Sequence, residues 1–217
     1  MMQATTNFIK HLRNKPAISK IVAFLIKLTR PISGQLYRKW LIYGTYRLEF
    51  NGVNFLVYSE GDDHIASNLF YSIPWETNEL RLFTDHAKKS KIILDIGANS
   101  GFYSLISATS NPSSQVHSFE PNDYNYNRLR QNTDLNNLRN ITLNNLAVGS
   151  NIGALELTFP ATSMLSDTSS ADESFSKSTY NSSLQWKKVL VQQTTIDAYK
   201  REQNIKVDLF KIDVEGF

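Results

Sequence analysis

Short apolar runs alternate with helical patterns from residue 91 to the end of the chain. The runs that predict strands cover residues 92–94, 115–119, 141–148, 155–159, 189–194 and 207–216. The patterns that predict helices cover residues 102–108 and 123–137, and a further one begins at residue 196. Strands and helices that alternate in this way are typical of a parallel sheet. The pattern therefore predicts an α/β fold.

A helix, a β-hairpin and a second helix are predicted before this alternation starts. Residues 18–29 have helical periodicity. Two apolar runs, Tyr46–Phe50 and Val53–Tyr58, flank Asn51-Gly52, a pair that two-residue hairpin turns prefer. A further helical pattern runs from residue 75 to residue 89.

Basic residues are concentrated in an N-terminal arm, residues 1–45. Eight of the 23 Lys and Arg residues lie in the arm, and none of the 20 acidic residues does. The α/β domain that we predict over residues 46–217 is therefore acidic overall, and the basic character of the chain comes from the arm. An acidic domain disfavours nucleic acid as a partner, and we expect no nucleic acid partner.

The predicted helix of the arm is amphipathic. Its broad apolar face contains Ile18, Ile21, Val22, Leu25, Ile26 and Leu28. Lys20 and Lys27 lie opposite that face, and the uninterrupted apolar run is far shorter than the roughly 20 residues of a membrane span. Two interpretations stay open: the helix packs on the domain, or it lies on an anionic membrane surface. We predict no signal peptide and a cytoplasmic protein, with peripheral membrane contact as the alternative.

Two compositional features narrow the chemistry. The chain has no cysteine, which excludes disulfide bonds, thiolate metal sites and a cysteine nucleophile. Residues 160–186 contain twelve Ser and Thr residues and no clear periodicity. That composition predicts a surface insertion or a lid over the site.

A glycine turn follows the predicted strand at residues 92–94. Asp95 stands at the carboxyl end of this strand, and Gly97 and Gly101 bracket the turn that leads into a helix at Phe102. Glycines allow close approach of a ligand, and the first turn of a helix offers free N–H groups. Ligands of open α/β sheets bind at the carboxyl ends of the strands. The turn is therefore a candidate ligand site, although its D-x-G-x-x-x-G spacing differs from the G-x-G-x-x-G of dinucleotide-binding turns.

An acidic residue, Glu120, follows the next predicted strand. This strand, Gln115–Phe119, ends in Glu120-Pro121-Asn122, 19 residues after Gly101. An acid at the end of a neighbouring strand can accept both hydroxyl protons of an adenosine ribose. Alone, Glu120 would be a solvated acid before a proline, but together with the turn it predicts a nucleotide-ribose site.

Three motifs occur in a characteristic order along the chain. They are D-I-G-A-N-S-G-F-Y-S at residues 95–104, F-E-P-N at residues 119–122 and K-I-D-V-E-G at residues 211–216. Together they resemble the FkbM-type methyltransferases, which depend on S-adenosylmethionine, and the resemblance covers roughly residues 45–217. It implies a Rossmann-like class I methyltransferase fold. It also implies methylation of a hydroxyl group on a sugar, glycolipid or related secondary metabolite.

The resemblance implies roles for individual residues. The methionine part of the cofactor would be held by Asp95, Gly97, Ala98, Asn99, Gly101 and Phe102. Glu120, followed by Pro121, would bind the ribose, and Asn145 and Ala147 would lie near the adenine.

Two carboxylates of the last motif, Asp213 and Glu215, are the candidate catalytic residues. They alternate along an extended chain, so both can face one side where the strand ends. In the implied topology this strand lies beside the strand that ends at Asp95, which opens both onto one crevice. We predict that Asp213 first, and Glu215 second, orients the acceptor hydroxyl or accepts its proton, with Glu76 a distant candidate. The same carboxylates could instead hold Mg²⁺.

The chain departs from the family in one respect. It stops at Phe217, directly after K-I-D-V-E-G, where the resemblance implies further strands and part of the acceptor pocket. We therefore expect a domain that is incomplete at its C-terminus, because the chain is a fragment or has lost half its site. We also expect residues 1–217 alone to be unstable or inactive.

Several functions remain to be distinguished. The leading prediction is an O-methyltransferase with a small-molecule or glycan acceptor, and the alternative is a non-catalytic remnant that binds an adenosine cofactor. A nucleotide-dependent dehydrogenase is disfavoured because the G-x-G-x-x-G spacing is missing. Methylation of nucleic-acid bases is disfavoured because the Asn/Asp-Pro-Pro-aromatic motif is absent.

Overall fold

A computed structural model of the protein describes residues 15–33, 40–73, 77–160 and 186–214. Its helices are α1 (Pro16–Ser33), α2 (His64–Phe70), α3 (Thr77–Ala87), α4 (Phe102–Ser110), α5 (Asp123–Leu135) and α6 (Ile196–Gln203). Its strands are β1 (Tyr43–Phe50), β2 (Val53–Glu60), β3 (Ile92–Ile96), β4 (Gln115–Phe119), β5 (Ile141–Asn144), β6 (Ala147–Val148), β7 (Gly153–Pro160), β8 (Trp186–Thr194) and β9 (Leu209–Ile212). The chain divides into two compact units, Met1–Arg81 and Leu82–Phe217. The boundary that the sequence predicts between the arm and the α/β domain stays a prediction.

The first unit contains the predicted hairpin. Strands β1 and β2 pair antiparallel, with Phe50 opposite Val53. Asn51 and Gly52 between them have φ angles of 50° and 77°, as a type I′ turn requires at both positions. The helix α2, which the sequence analysis did not predict, follows the hairpin. Its first turn is capped by Asp63, whose carboxylate accepts the N–H of Ala66 at 2.8 Å.

Helix α1 packs against strand β1 in the same unit. Its buried side consists of Ser19, Ala23 and Ile26. The Ser19 hydroxyl lies 3.5 Å from the hydroxyl of Tyr46. Two of these three side chains are small, which lets the helix approach the strand closely. The buried side is therefore narrower than the predicted apolar face. Among the described side chains, Ile26 is the one residue of the predicted apolar face that is buried.

A parallel sheet with the strand order β5-β4-β3-β9 forms the centre of the second unit. Strand β9 pairs with β3, so these two strands are adjacent in the sheet, as predicted. Alternate residues of β3 face two cores, because Ile93 packs with Ala108 of α4 whereas Leu94 packs with Tyr199 of α6. Helices therefore cover both faces, as expected for a parallel sheet.

A second, smaller sheet has the strand order β6-β8-β7. The sequence predicts one strand over residues 141–148, but the structure divides it. Residues up to Asn144 pair with β4, and Ala147 and Val148 pair with β8 instead. Asn145 and Leu146, between the two parts, belong to neither strand. The predicted loop or lid lies almost wholly at residues 161–185, outside the described residues.

Candidate active site

A buried polar cluster lies between the sheet and helix α4, near the carboxyl ends of β3 and β4. Asp95 of β3 is fully buried, at 0% exposure, and its Oδ2 accepts a hydrogen bond of 2.5 Å from the hydroxyl of Ser104. That hydroxyl also lies 2.6 Å from the hydroxyl of Ser118 on β4. Small serines let the helix approach the sheet, and the hydroxyl of Ser104 satisfies one oxygen of a carboxylate that would be costly to bury alone. The sequence analysis quoted Ser104 within a motif but gave it no role, and it missed Ser118.

Lys211 of β9 joins this cluster to the end of the neighbouring strand. Its ammonium donates a 2.9 Å hydrogen bond to the carbonyl oxygen of Gly97. It lies 3.6 Å from Oδ1 of Asp95 and 3.4 Å from Oδ2 of Asp213. It also stands 5.0 Å from the ring centre of Tyr103, a cation–π distance. The sequence analysis quoted Lys211 in a motif but gave it no role, although a lysine within an apolar strand, two residues before a carboxylate, is a detectable signal.

The glycines of the turn are required by the packing of the chain itself. Gly97 has a φ of 76°, and a Cβ atom there would collide with the carbonyl oxygen of Asp213. Gly101 has a φ of 92°, and a Cβ atom there would collide with the side chain of Leu129. Positive φ and absent space both favour glycine. The close neighbours of these glycines are therefore Asp213, just after β9, and Leu129 of α5, and the predicted approach of a ligand stays a prediction.

The backbone N–H groups of this turn bond within the protein. Those of Gly97 and Ala98 both donate to the carbonyl oxygen of Phe119, at 3.0 and 2.9 Å. That of Asn99 donates to Oε2 of Glu120 at 2.8 Å. These bonds fasten the turn after β3 to the end of β4. The free N–H groups that we expect at the first turn of the helix beginning at Phe102 stay a prediction.

Glu120 is buried, at 4% exposure, at the carboxyl end of β4. Its Oε1 accepts the N–H of Asn122 at 2.9 Å, while its Oε2 is held by the turn. Burial raises the pKa of Glu120 to about 7, although both backbone hydrogen bonds and the charge of Lys211 act in the opposite direction. Each carboxylate oxygen has a second lone pair, so Glu120 retains capacity to accept hydroxyl donors.

The residues predicted near the adenine have other contacts. The amide of Asn145 donates to the carboxylate of Asp123 at 2.8 Å, on the surface. The side chain of Ala147 is buried in an apolar cluster with Leu157 and Phe159. A cofactor contact at Ala147 would therefore come from its backbone. The structure does not test these two assignments, which stay predictions.

The predicted catalytic carboxylates are only partly described. The side chain of Asp213 is 74% exposed and forms the ion pair with Lys211. Glu215 and Glu76 lie outside the described residues. Within the described ranges, no group of three or more His, Asp or Glu residues is placed to hold a metal ion.

Comparison with known protein families assigns the chain to a family. The FkbM methyltransferase domain matches residues 95–217, more than half of the chain. The chain belongs to the FkbM methyltransferase family. The matched region of this family member contains the turn at Gly97, the buried Glu120 and the motif that begins at Lys211. The predicted family and the predicted Rossmann-like α/β fold are thus confirmed, while no curated protein matches the chain in sequence.

Solved structures with a partly similar fold include other methyltransferases. A SAM-dependent methyltransferase from Agrobacterium tumefaciens is 16% identical, over 51% of the chain and 34% of that protein, with a TM-score of 0.37. TYW2 of M. jannaschii, solved with AdoMet, is 17% identical over 51% of the chain and 53% of that protein, with a TM-score of 0.32. The Pyrococcus abyssi tRNA (uracil-54, C5)-methyltransferase, solved with S-adenosyl-L-homocysteine, is 18% identical over 46% of the chain and 23% of that protein, with a TM-score of 0.34. The chain spans about a third of the first protein and about half of the second, so the assignment rests on the family match and the sheet.

Proposed function

We propose that this protein is an S-adenosylmethionine-dependent O-methyltransferase whose acceptor is a hydroxyl group of a sugar, glycolipid or related metabolite. The observation that carries the proposal is Glu120, a buried carboxylate at the carboxyl end of β4, inside the family match. A buried acid at this edge of a parallel sheet suits the two hydroxyl groups of a ribose. Its remaining lone pairs give it the capacity to accept them.

The charges at this edge of the sheet favour a cationic ligand. Asp95 and Asp213 contribute two carboxylates against the one ammonium group of Lys211, and Glu120, with a pKa of about 7, adds a partial negative charge near neutral pH. S-Adenosylmethionine, when bound, supplies a methyl group on a positively charged sulfur. We propose that Glu120 holds the ribose, and that Asp95 and the turn after it position the methionine part.

Asp213 is the candidate residue for contact with the acceptor, because its side chain is exposed at the end of β9. In the proposed reaction the acceptor oxygen forms a bond to the methyl carbon as the carbon–sulfur bond breaks. The acceptor proton leaves to a carboxylate or to water. The ion pair with Lys211, at 3.4 Å, holds the Asp213 carboxylate at the end of β9. We therefore propose that Asp213 mainly orients the hydroxyl, and that Glu215 remains the candidate base.

Two measurements test the cofactor assignment. Calorimetry should show that the protein binds S-adenosylmethionine more tightly than NAD. Glu120→Ala should weaken that binding by about 1–3 kcal/mol, because charge-assisted hydrogen bonds are lost. Glu49→Ala, at an exposed position of β1, is the matched control and should leave binding unchanged. Tighter binding of NAD, or equal binding by the Glu120→Ala variant, would contradict the proposal.

Transfer of a labelled methyl group to sugar and glycolipid acceptors tests catalysis. Lower turnover in each of the single variants Asp213→Asn and Glu215→Gln would support the assigned roles. Wild-type turnover in both variants would refute them. Cofactor binding without any turnover would favour the non-catalytic alternative. The Mg²⁺ alternative predicts that a chelator abolishes turnover and that added Mg²⁺ restores it.

A further inference from the structure

Helix α1 exposes a stripe of large apolar side chains opposite its buried side. Ile21, Phe24, Leu25 and Leu28 are 62%, 56%, 52% and 62% exposed. They follow the spacing i, i+3, i+4 and i+7, which places them on one face of a helix. Four adjacent large apolar side chains at this exposure form a patch that marks an interaction surface.

The face beside this stripe is basic. Lys20 and Lys27 are seven residues, or about two helical turns, apart and are exposed at the flank of the stripe. Lys27 stands 4.7 Å from the ring centre of Phe70, and Lys20 stands 5.9 Å from that of Tyr46. These contacts, within the first unit, hold both ammonium groups on the same side of the helix. The whole arm, residues 1–45, contains no acidic residue that could neutralise them.

We infer that α1 docks this protein on an anionic membrane surface, with the apolar stripe inserted among the lipids and the lysines at the headgroups. Apolar burial and attraction to anionic lipids together drive binding of a basic amphipathic helix. No helix among the described residues is long and apolar enough to cross a membrane. The mode is therefore attachment in the plane of the surface. This inference does not depend on the proposed methyl transfer.

A second copy of the chain is a poorer occupant of the stripe. Two copies that met through it would bring their basic arms together, and neither arm carries an acid to pair with the other. Like charges placed together oppose such an interface. An anionic lipid surface, in contrast, complements both the apolar stripe and the lysines.

The test is co-flotation of the full chain with vesicles, at low salt. The protein should float with phosphatidylglycerol vesicles and much less with phosphatidylcholine vesicles, and 0.5 M salt should release most of it. Leu28→Asp and, independently, Phe24→Asp should lower the bound fraction at least about tenfold. Ile152→Asp makes the same kind of change at a site that is 71% exposed, outside the arm, and should leave flotation unchanged.

A cooperative thermal unfolding transition establishes that each variant is folded. If an aspartate variant in the stripe does not fold, Leu28→Gln is used in its place. Absence of flotation of the wild-type protein at low salt would overturn the inference. So would equal losses in Leu28→Asp and Ile152→Asp. A dimer in sedimentation that Leu28→Asp dissociates, with vesicle binding unchanged, would assign the stripe to a second copy instead. Cofactor binding, measured separately, should be unaffected by any of these variants, so failure here would leave the proposed function standing.

Discussion

The raised pKa of Glu120 predicts that the free energy of unfolding depends on pH in a specific range. Its pKa is raised from 4.5 to about 7, chiefly by burial. Between these two values the unfolded chain has an ionised Glu120, whereas the folded protein keeps the proton. The folded state then binds more protons than the unfolded state, so the free energy of unfolding falls as pH rises. This loss begins near pH 4.5 and is complete somewhat above pH 7.

The magnitude follows from the size of the shift. Each pKa unit corresponds to about 1.4 kcal/mol, so the shift at Glu120 limits the loss to about 3 kcal/mol. Glu120→Gln removes the titrating group and should remove this dependence. The amide has one oxygen, so one of the two N–H groups that Glu120 now accepts, from Asn99 and Asn122, loses its acceptor. That loss costs about 1–3 kcal/mol at every pH. The diagnostic quantity is therefore the slope with pH, not the absolute stability.

Urea denaturation between pH 5 and pH 8.5 measures this slope. The wild-type protein should lose stability across the range, and Glu120→Gln should lose distinctly less. Glu49→Gln, the same substitution at an exposed position, should keep the wild-type slope. Identical slopes in the wild type and Glu120→Gln would refute the reasoning, because they would mean that Glu120 ionises equally in both states.

Three further predictions concern other charges and surfaces of the second unit. Lys211→Met should destabilise the protein by about 3 kcal/mol in urea denaturation, because it leaves the buried Asp95 without its cation. Adding Asp95→Asn should recover part of this loss, and a double variant whose loss equals the sum of the two single losses would contradict the prediction. Hydrogen bonds from the N–H groups of Ile92 and Lys91 lower the pKa of Asp208, so Asp208 stabilises the fold above its ordinary pKa and this contribution is lost as pH falls. Asp208→Asn should therefore lose less stability on acidification than the wild type, and an unchanged acid transition would contradict this prediction. Phe210 is 40% exposed on β9, which is the outer strand of the parallel sheet within the described residues, and Phe210→Lys should reduce self-association in light scattering at an almost unchanged melting temperature. Unchanged scattering would show that this strand does not promote self-association.

Local signals in the sequence were sufficient for much of the fold. Asn51-Gly52 between two apolar runs predicts the hairpin, because the turn needs positive φ at both positions. The sequence also predicts that β9 and β3 are neighbours, although only through the family resemblance. The strand predicted over residues 141–148 is divided, because tertiary pairing with β8, which no local pattern reveals, takes its last residues.

Packing explains what sequence patterns could not predict. Periodicity in α1 identifies apolar positions but not which of them are covered, and the small Ser19 and Ala23 turn out to face the hairpin. At the candidate site, Asp95 and Glu120 were predicted from their positions at strand ends. Lys211 was not given a role, because its importance arises from three groups on separate parts of the chain that only folding brings together.

These contacts make Lys211 the link between the turn at Gly97, which we propose holds the cofactor, and Asp213, the proposed acceptor carboxylate. One ammonium bonds to the carbonyl oxygen of Gly97 and pairs with Asp213, so the end of β3 and the end of β9 share a single charged anchor. The backbone of Gly97 also lies so close to the carbonyl oxygen of Asp213 that a side chain would not fit, so the same two strand ends are in close contact. Methyl transfer gains most from holding two reactants in line, and that requires rigid supports for both. We therefore propose that the lysine of the K-I-D-V-E-G motif positions the two strand ends, beside carboxylates that would face the cationic cofactor.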